Sequence, residues 1–177
     1  MTFRRLAVAA ILLCAGGAAA KKAKPPETTW KPPPSSWCIK KGVDEAGDLV
    51  FITVDLAYKS FPDKAKFPHL VHINISIKDQ NKNGHPTHDE AEILNRVEDG
   101  IVASLFDAEL TPFIGSLTTR GFREVMVYVR DPEKANAVLS RLAQSPQLRE
   151  WEYRVVRDPD PKWTVVQQLF DGEEPCL

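Results

Sequence analysis

The sequence predicts an α+β domain of the ferredoxin-like, split β-α-β kind: an antiparallel sheet extended by an N-terminal hairpin strand, with two helices on one face. Two observations predict it. Segments in which apolar residues alternate with polar ones are interleaved with segments in which they recur every three or four positions. From residue 69 onward those segments run strand, helix, strand, strand, helix, strand. Composition agrees: 43% of 177 residues are hydrophobic and only nine are glycine, which allows a core and excludes both a disordered and a collagen-like chain. One domain is the default at this length.

Residues 1–20 stand outside the fold. Arg4 and Arg5, the apolar stretch Leu6 to Leu13 and the small residues ending in Ala18 and Ala20 make a secretory signal peptide. That stretch is about half of the roughly 20 residues a membrane span needs, and no later segment is long and apolar enough, so no transmembrane anchor is expected after processing. Lipid attachment at Cys14 is the weaker alternative, because Leu13 stands where a small residue is required. The expected location is periplasmic or secreted.

Residues 21–36 read KKAKPPETTWKPPPSS, with five prolines and almost no aliphatic side chains. Such a segment favours extended polyproline geometry and acts as a spacer; the alternative is a docking peptide centred on Trp30. Residues 37–177 are the α+β domain. Cys38 and Cys176 lie near its two ends, and in an exported chain they are expected to pair. Closing so long a loop stabilises by roughly 5 kcal/mol in the chain-entropy limit. An intermolecular bridge or two free thiols are the other readings.

Within the domain, Val50, Ile52, Val54, Leu56 and Tyr58 alternate with Thr53, Asp55 and Lys59, which predicts a strand over Leu49 to Tyr58. Val71, Ile73, Ile75 and Ile77 alternate with His72, Asn74, Ser76 and Lys78, and this second strand is expected to pair antiparallel with the first. Trp37 to Lys41 is a candidate edge strand. Thr87-His88-Asp89-Glu90 is a capping box that opens a helix whose stripe is Ile93, Leu94, Val97, Ile101, Leu105 and Ala108. Gly100 costs that helix about 1 kcal/mol relative to alanine.

Ile114 to Thr119 and Glu124 to Arg130 form a hairpin around Arg120-Gly121, where glycine accepts positive φ. Asp131-Pro132 caps a second helix with stripe Ala135, Val138, Leu139 and Leu142. Trp151, Tyr153 and Val155 make the last strand. Right-handed crossovers put both helices on one face, leaving the other open to carry Asp55, His72, Asn74 and Ser76.

The sharpest motif is Asp79-Gln80-Asn81-Lys82-Asn83-Gly84 with Glu90 at the twelfth position, a fit to the calcium-loop pattern. The side chains of Asp79, Asn81 and Asn83, the carbonyl of His85 and both oxygens of Glu90 are hard oxygen donors of the right kind. A strand precedes the loop rather than a helix, and the asparagines lower its charge, so the expected affinity is weak. A plain turn at Asn83-Gly84 followed by a helix cap accounts for the same residues.

His69 and His72 point to opposite faces of their strand, and His85 and His88 need a third ligand, so surface histidines are expected rather than a zinc site. No nucleophile elbow, phosphate loop or paired-cysteine motif is present. With 23 basic against 24 acidic side chains there is no electrostatic footprint for nucleic acid. The expected function is therefore a non-enzymatic, exported domain that binds an unknown protein or small ligand through its open sheet face. A calcium-binding module is the alternative, and a hydrolase using Asp55, His72 and Ser76 is the third reading. No cofactor is expected other than calcium.

The segments Asn83-Gly84-His85-Pro86 through Glu90, Thr118-Thr119-Arg120-Gly121-Phe122-Arg123-Glu124 leading into Val127-Tyr128, and Asp158 to Trp163 resemble the uncharacterised bacterial domain-of-unknown-function family 695. They span most of residues 48–170. Val166 and Gln167 stand where members of that family carry a tyrosine. The resemblance implies the fold and assigns no residue roles. Some relatives stand beside domains similar to the protein inhibitor of ribonuclease E, which implies protein binding, although an exported chain would not meet that enzyme.

Overall fold

The computed structural model describes residues 31–109, 111–171 and 175–177. The signal peptide expected over 1–20 and residues 21–30 of the proline-rich segment lie outside the described residues. The chain forms β1 (Trp37–Val43), β2 (Leu49–Asp55), β3 (His69–Ser76), α1 (His88–Glu109), β4 (Phe113–Thr118), β5 (Phe122–Val129), α2 (Pro132–Ala143), β6 (Trp151–Val155) and a short α3 (Gln167–Asp171). Single 3-10 turns occupy Leu56–Tyr58, Lys64–Lys66 and Thr164–Val166. The strands make one six-stranded antiparallel sheet in the order β1-β2-β4-β5-β3-β6.

The expected pairing of β2 with β3 is corrected: β2 lies between β1 and β4, while β3 lies between β5 and β6. The reason is the connection from Leu56 to Pro68. It carries Tyr58, Phe61 and Phe67, all buried, so it serves as core rather than as a tight hairpin turn. The strand at Trp37 does take the sheet edge, paired to β2 from Trp37↔Asp55 to Val43↔Leu49.

Both long helices lie on one face. There Val71, Ile73 and Ile75 of β3 and Val125, Val127 and Val129 of β5 pack under Leu94, Val97, Ile101 and Leu105 of α1 and under Ala135 and Leu139 of α2. α1 runs unbroken through Gly100, where an added Cβ would meet nothing. Asp131 caps α2 as expected, accepting from the amides of Glu133 and Lys134 at 3.0 and 3.1 Å.

The opposite face is not left open along its length, which corrects the second expectation. One part is roofed by Tyr58, Phe61, Phe67, Trp163, Val166, Leu169 and Phe170, which pack on Cys38, Val54, Leu70, Ile114, Met126 and Tyr128. Val54 belongs to this second core whereas Ile73 belongs to the first. The apolar phase of β2 therefore faces away from the helices and that of β3 faces toward them. Trp163 anchors the roof: its ring stacks on Tyr128 at 4.5 Å and 14°, and its Nε1 donates to the Phe67 carbonyl at 2.9 Å.

β4 bulges between Phe113 and Gly115. Gly115 has φ +153°, and a Cβ there would stand 2.0 Å from the Thr53 carbonyl oxygen, so only glycine admits β2 at this distance. At the edge, Cys38 and Cys176 are joined with their Cα atoms 5.2 Å apart, as expected. The Leu177 amide donates to the Ile39 carbonyl at 2.8 Å, so the C-terminus lies along β1. Among the described residues no helix is long and apolar enough to cross a membrane.

Candidate functional site

The roof over the second face ends before β3 does. Antiparallel register sets the residues of β5, β3 and β6 side by side: roofed Met126 beside His72 beside Arg154 at the boundary, then Glu124 beside Asn74 beside Glu152 on the remainder. Phe122 lies beside Ser76, whose amide reaches the Glu150 carbonyl at 2.9 Å. Leu70, one step back along the same phase of β3, is already under the roof. The uncovered corner is thus a grid of mainly polar side chains at the end of a strand whose other phase is full core.

The corner is concave. A recess of about 440 Å³ is lined by Asn74, Ser76, Phe122, Glu150 and Glu152, and a second of about 290 Å³ by His72, Asn74, Glu124, Glu152 and Arg154. His72 bonds through Nδ1 to the Glu124 carboxylate. Asn74 stands at the centre, and its Oδ1 is buried without a partner among the described residues. Such an acceptor carries a desolvation cost of about 1–3 kcal/mol that a ligand donor relieves. Phe122 is 42% exposed at the rim and offers an apolar contact beside these groups.

Of the four residues expected on this face, His72, Asn74 and Ser76 are together here and Asp55 is not. Asp55 is buried on β2, three strands away, in the phase that faces the helix side. Its Oδ1 accepts from the amides of Ser36 at 2.7 Å and Ala57 at 3.1 Å, closing the turn after β2. Asp55 therefore does not join His72 and Ser76, and the three residues form no triad in this structure. His72 and Ser76 are themselves about 14 Å apart along one strand at roughly 3.4 Å per residue.

The 79–90 loop is organised by its own hydrogen bonds. The Asn81 side chain accepts from the amides of Asn83 at 2.9 Å and His85 at 3.3 Å, the His85 carbonyl accepts from the Asn81 amide at 2.7 Å, and the Thr87 hydroxyl donates to Asp79 at 2.8 Å. Gly84 turns the chain at φ +82°. Thr87 caps α1, its Oγ1 accepting from the Glu90 amide at 3.4 Å. Glu90 does not reach back to the cap, so the capping box is half formed. It is buried instead, accepting from Arg149 Nε at 2.7 Å, Arg149 Nη2 at 2.5 Å and the Lys78 amide at 2.8 Å.

Arg149 holds the Glu90 carboxyl down to about 2, its two hydrogen bonds and charge outweighing burial. In this arrangement the Glu90 carboxylate is taken up by Arg149 of the loop before β6 and by the backbone at Lys78 and Asp79. No group of three or more His, Cys, Asp or Glu side chains among the described residues is placed to hold a metal ion. His85 is buried with its ring edge-on to Phe51 at 5.2 Å, and His88 is exposed beside Glu92.

Reading by residue phase missed Phe122, Glu124, Glu152 and Arg154. Glu152 and Arg154 are out of phase with the apolar residues of β6, which is a legible signal, whereas Phe122 and Glu124 share their phase with buried Met126 and Tyr128 of β5 and carry none. The four become a site only once β5 and β6 are known to flank β3. The Family of unknown function (DUF695) matches residues 43–170, a span that contains the loop, hairpin and Asp158–Trp163 segments quoted above. No curated protein and no solved structure matches the chain.

Proposed function

The chain belongs to the family of unknown function DUF695, and on that footing we propose that it is an exported, non-enzymatic binding domain whose uncovered sheet corner contacts another envelope protein. The observation that carries this reading is the partnerless buried Oδ1 of Asn74 at the centre of a recess walled by Glu124, Glu152 and Phe122. Carboxylates of Glu124, Glu150 and Glu152 stand around the Asn74 amide beside an exposed aromatic, which suits a polar surface with one apolar anchor. Export is supported by the Arg-flanked apolar stretch of residues 1–20 and by the Cys38–Cys176 bond, since disulfides persist in oxidising compartments. Pro32 to Pro34 run into Ser36, which Asp55 holds to the sheet, so a stiff spacer leads into the domain at β1.

The order β4-β5-β3-β6, with α1 following β3 and α2 following β5, supports a ferredoxin-like reading of residues 69–155, to which the β1–β2 hairpin is added beside β4.

A photoreactive side chain placed at Ser76 of the exported chain tests the binding reading. The expected result is one discrete adduct with a different protein, formed at Ser76 and not from exposed Asp107 of α1, and lost on Asn74→Arg while melting is unchanged. No adduct, or an adduct indifferent to Asn74→Arg, overturns the proposal.

A further inference from the structure

β6 closes one side of the sheet, and along its outer edge we infer that a second copy of this chain pairs, β6 against β6 antiparallel, across a two-fold axis through Tyr153. The Ser76 amide bonds to the Glu150 carbonyl at 2.9 Å, and the Val156 amide bonds to the Leu70 carbonyl at 2.8 Å. Antiparallel pairing alternates, so Glu150, Glu152, Arg154 and Val156 direct their N–H and C=O groups inward to β3. Those of Trp151, Tyr153 and Val155 point out of the sheet, and among the described residues they meet no backbone partner. Such an edge is a template for another strand unless it is blunted.

The side chains of this edge select its own copy. Outward-bonding residues must face outward-bonding residues, so allowed registers differ by steps that preserve the side-chain faces. With Tyr153 opposite its counterpart, Trp151 faces the second copy's Val155, and Glu152 faces the second copy's Arg154. By symmetry each contact occurs twice. Glu152 and Arg154 are exposed and occupy the non-hydrogen-bonded positions of that pairing, where opposed side chains come closest.

Sliding to the neighbouring registers sets Glu152 against Glu152 or Arg154 against Arg154. A lone lysine would protect the edge from every strand, whereas Glu152 and Arg154 two positions apart repel their own copy in those registers and attract it in this one. Just beyond the strand, Arg149 would lie opposite the second copy's Arg157. Each is already neutralised within its own chain, Arg149 by Glu90 at 2.5 Å and Arg157 by Glu133 at 2.6 Å. On the helix side the Tyr153 hydroxyl is held by Ser140 at 2.6 Å and by Asn136 at 3.1 Å, so this side chain lies on its own α2.

Sedimentation equilibrium of the chain beginning at Lys21, at low salt and from micromolar to near-millimolar concentration, tests the pairing. Wild type is expected to dimerise. E152R or R154E alone places two like-charge pairs about the axis and weakens the dimer about tenfold. The double variant E152R/R154E regains it, and equimolar mixing of the two single variants yields a heterodimer tighter than either homodimer. A second measurement uses the wild type alone: the Tyr153 and Val155 amides gain hydrogen-exchange protection as concentration rises. A wild type that stays monomeric overturns the inference. So does a dimer unmoved by the single reversals, a loss that neither the double variant nor the mixture repairs, or amide protection independent of concentration.

Discussion

Glu90 is charged where burial alone would forbid it, and the donors around it explain how. Its carboxylate is 1% exposed and receives a forked pair of hydrogen bonds from Arg149 and one from the Lys78 amide. The contact spans 59 positions in sequence, so it pins the start of α1 to the loop that precedes β6. The folded-state value of about 2 lies below the ordinary 4.5. Stability from this group is therefore fully present above about pH 4.5 and is lost as pH falls toward 2, amounting to about 2–3 kcal/mol. Glu90→Gln is expected to cost about 3 kcal/mol at pH 7, because it leaves Arg149 half-buried without its counter-charge. Urea titrations of both proteins between pH 7 and pH 3 check this: the wild-type advantage must shrink as acid is added, and a constant gap would refute the assignment.

Among the elements, the C-terminal segment does most to distinguish the observed fold from the expected one. Trp163 sits at φ 58°, a left-handed conformation that costs a bulky residue about 1–3 kcal/mol, and it is fully buried. The turn is over-determined. Asp160 accepts from Tyr128 at 2.8 Å and Thr164 at 3.0 Å, and its own amide bonds to the Pro68 carbonyl at 2.6 Å. Burial raises the Tyr128 hydroxyl pKa, and Asp160 raises it further, so the phenol stays protonated and donates. Trp163→Ala is expected to lower stability by about 3–5 kcal/mol and to expose the second core to an environment-sensitive dye, whereas Trp37→Ala, at a half-exposed edge position, costs less than about 1 kcal/mol.

The six strands and two long helices were legible from period and capping residues, as Val71, Ile73 and Ile75 or Asp131-Pro132 illustrate, whereas α3 was not, and the strand expected to run to Tyr58 ends at Asp55, where the side chain caps a 3-10 turn. Strand neighbours were not, because alternation in β2 states that Val50, Ile52 and Val54 share a face without stating which core that face meets. The roof was hidden for the same reason: Phe61, Phe67, Trp163 and Phe170 are scattered through segments with no period, and only tertiary contact joins them. The site inherits both effects, so that His72, Asn74 and Ser76 were placed together while Asp55 was assigned to the wrong side.

At the scale of the whole molecule, the second core is held shut from one edge. The C-terminal segment crosses from the roof to β1, where Lys40 Nζ donates to the Leu169 carbonyl at 3.1 Å, Lys59 pairs with Asp171 at 2.9 Å, and the Cys38–Cys176 bond closes a separation of 138 residues. A cross-link of that span acts chiefly on the unfolded chain, by removing conformations that open ends would explore; the chain-entropy limit is about 5 kcal/mol. Such an action has a signature that a lost contact lacks. Freed of the link, the unfolded chain expands and exposes more surface, so the Cys38→Ser/Cys176→Ser protein should show a lower urea midpoint together with a steeper dependence on urea. The Trp163→Ala protein should show the lower midpoint alone. Amides of Ile73, Ile75 and Val125 should exchange in both proteins only through global unfolding, because these side chains pack on the helix side, away from the roof. A double serine variant with unchanged midpoint would show that the edge is held by its polar contacts rather than by the covalent link.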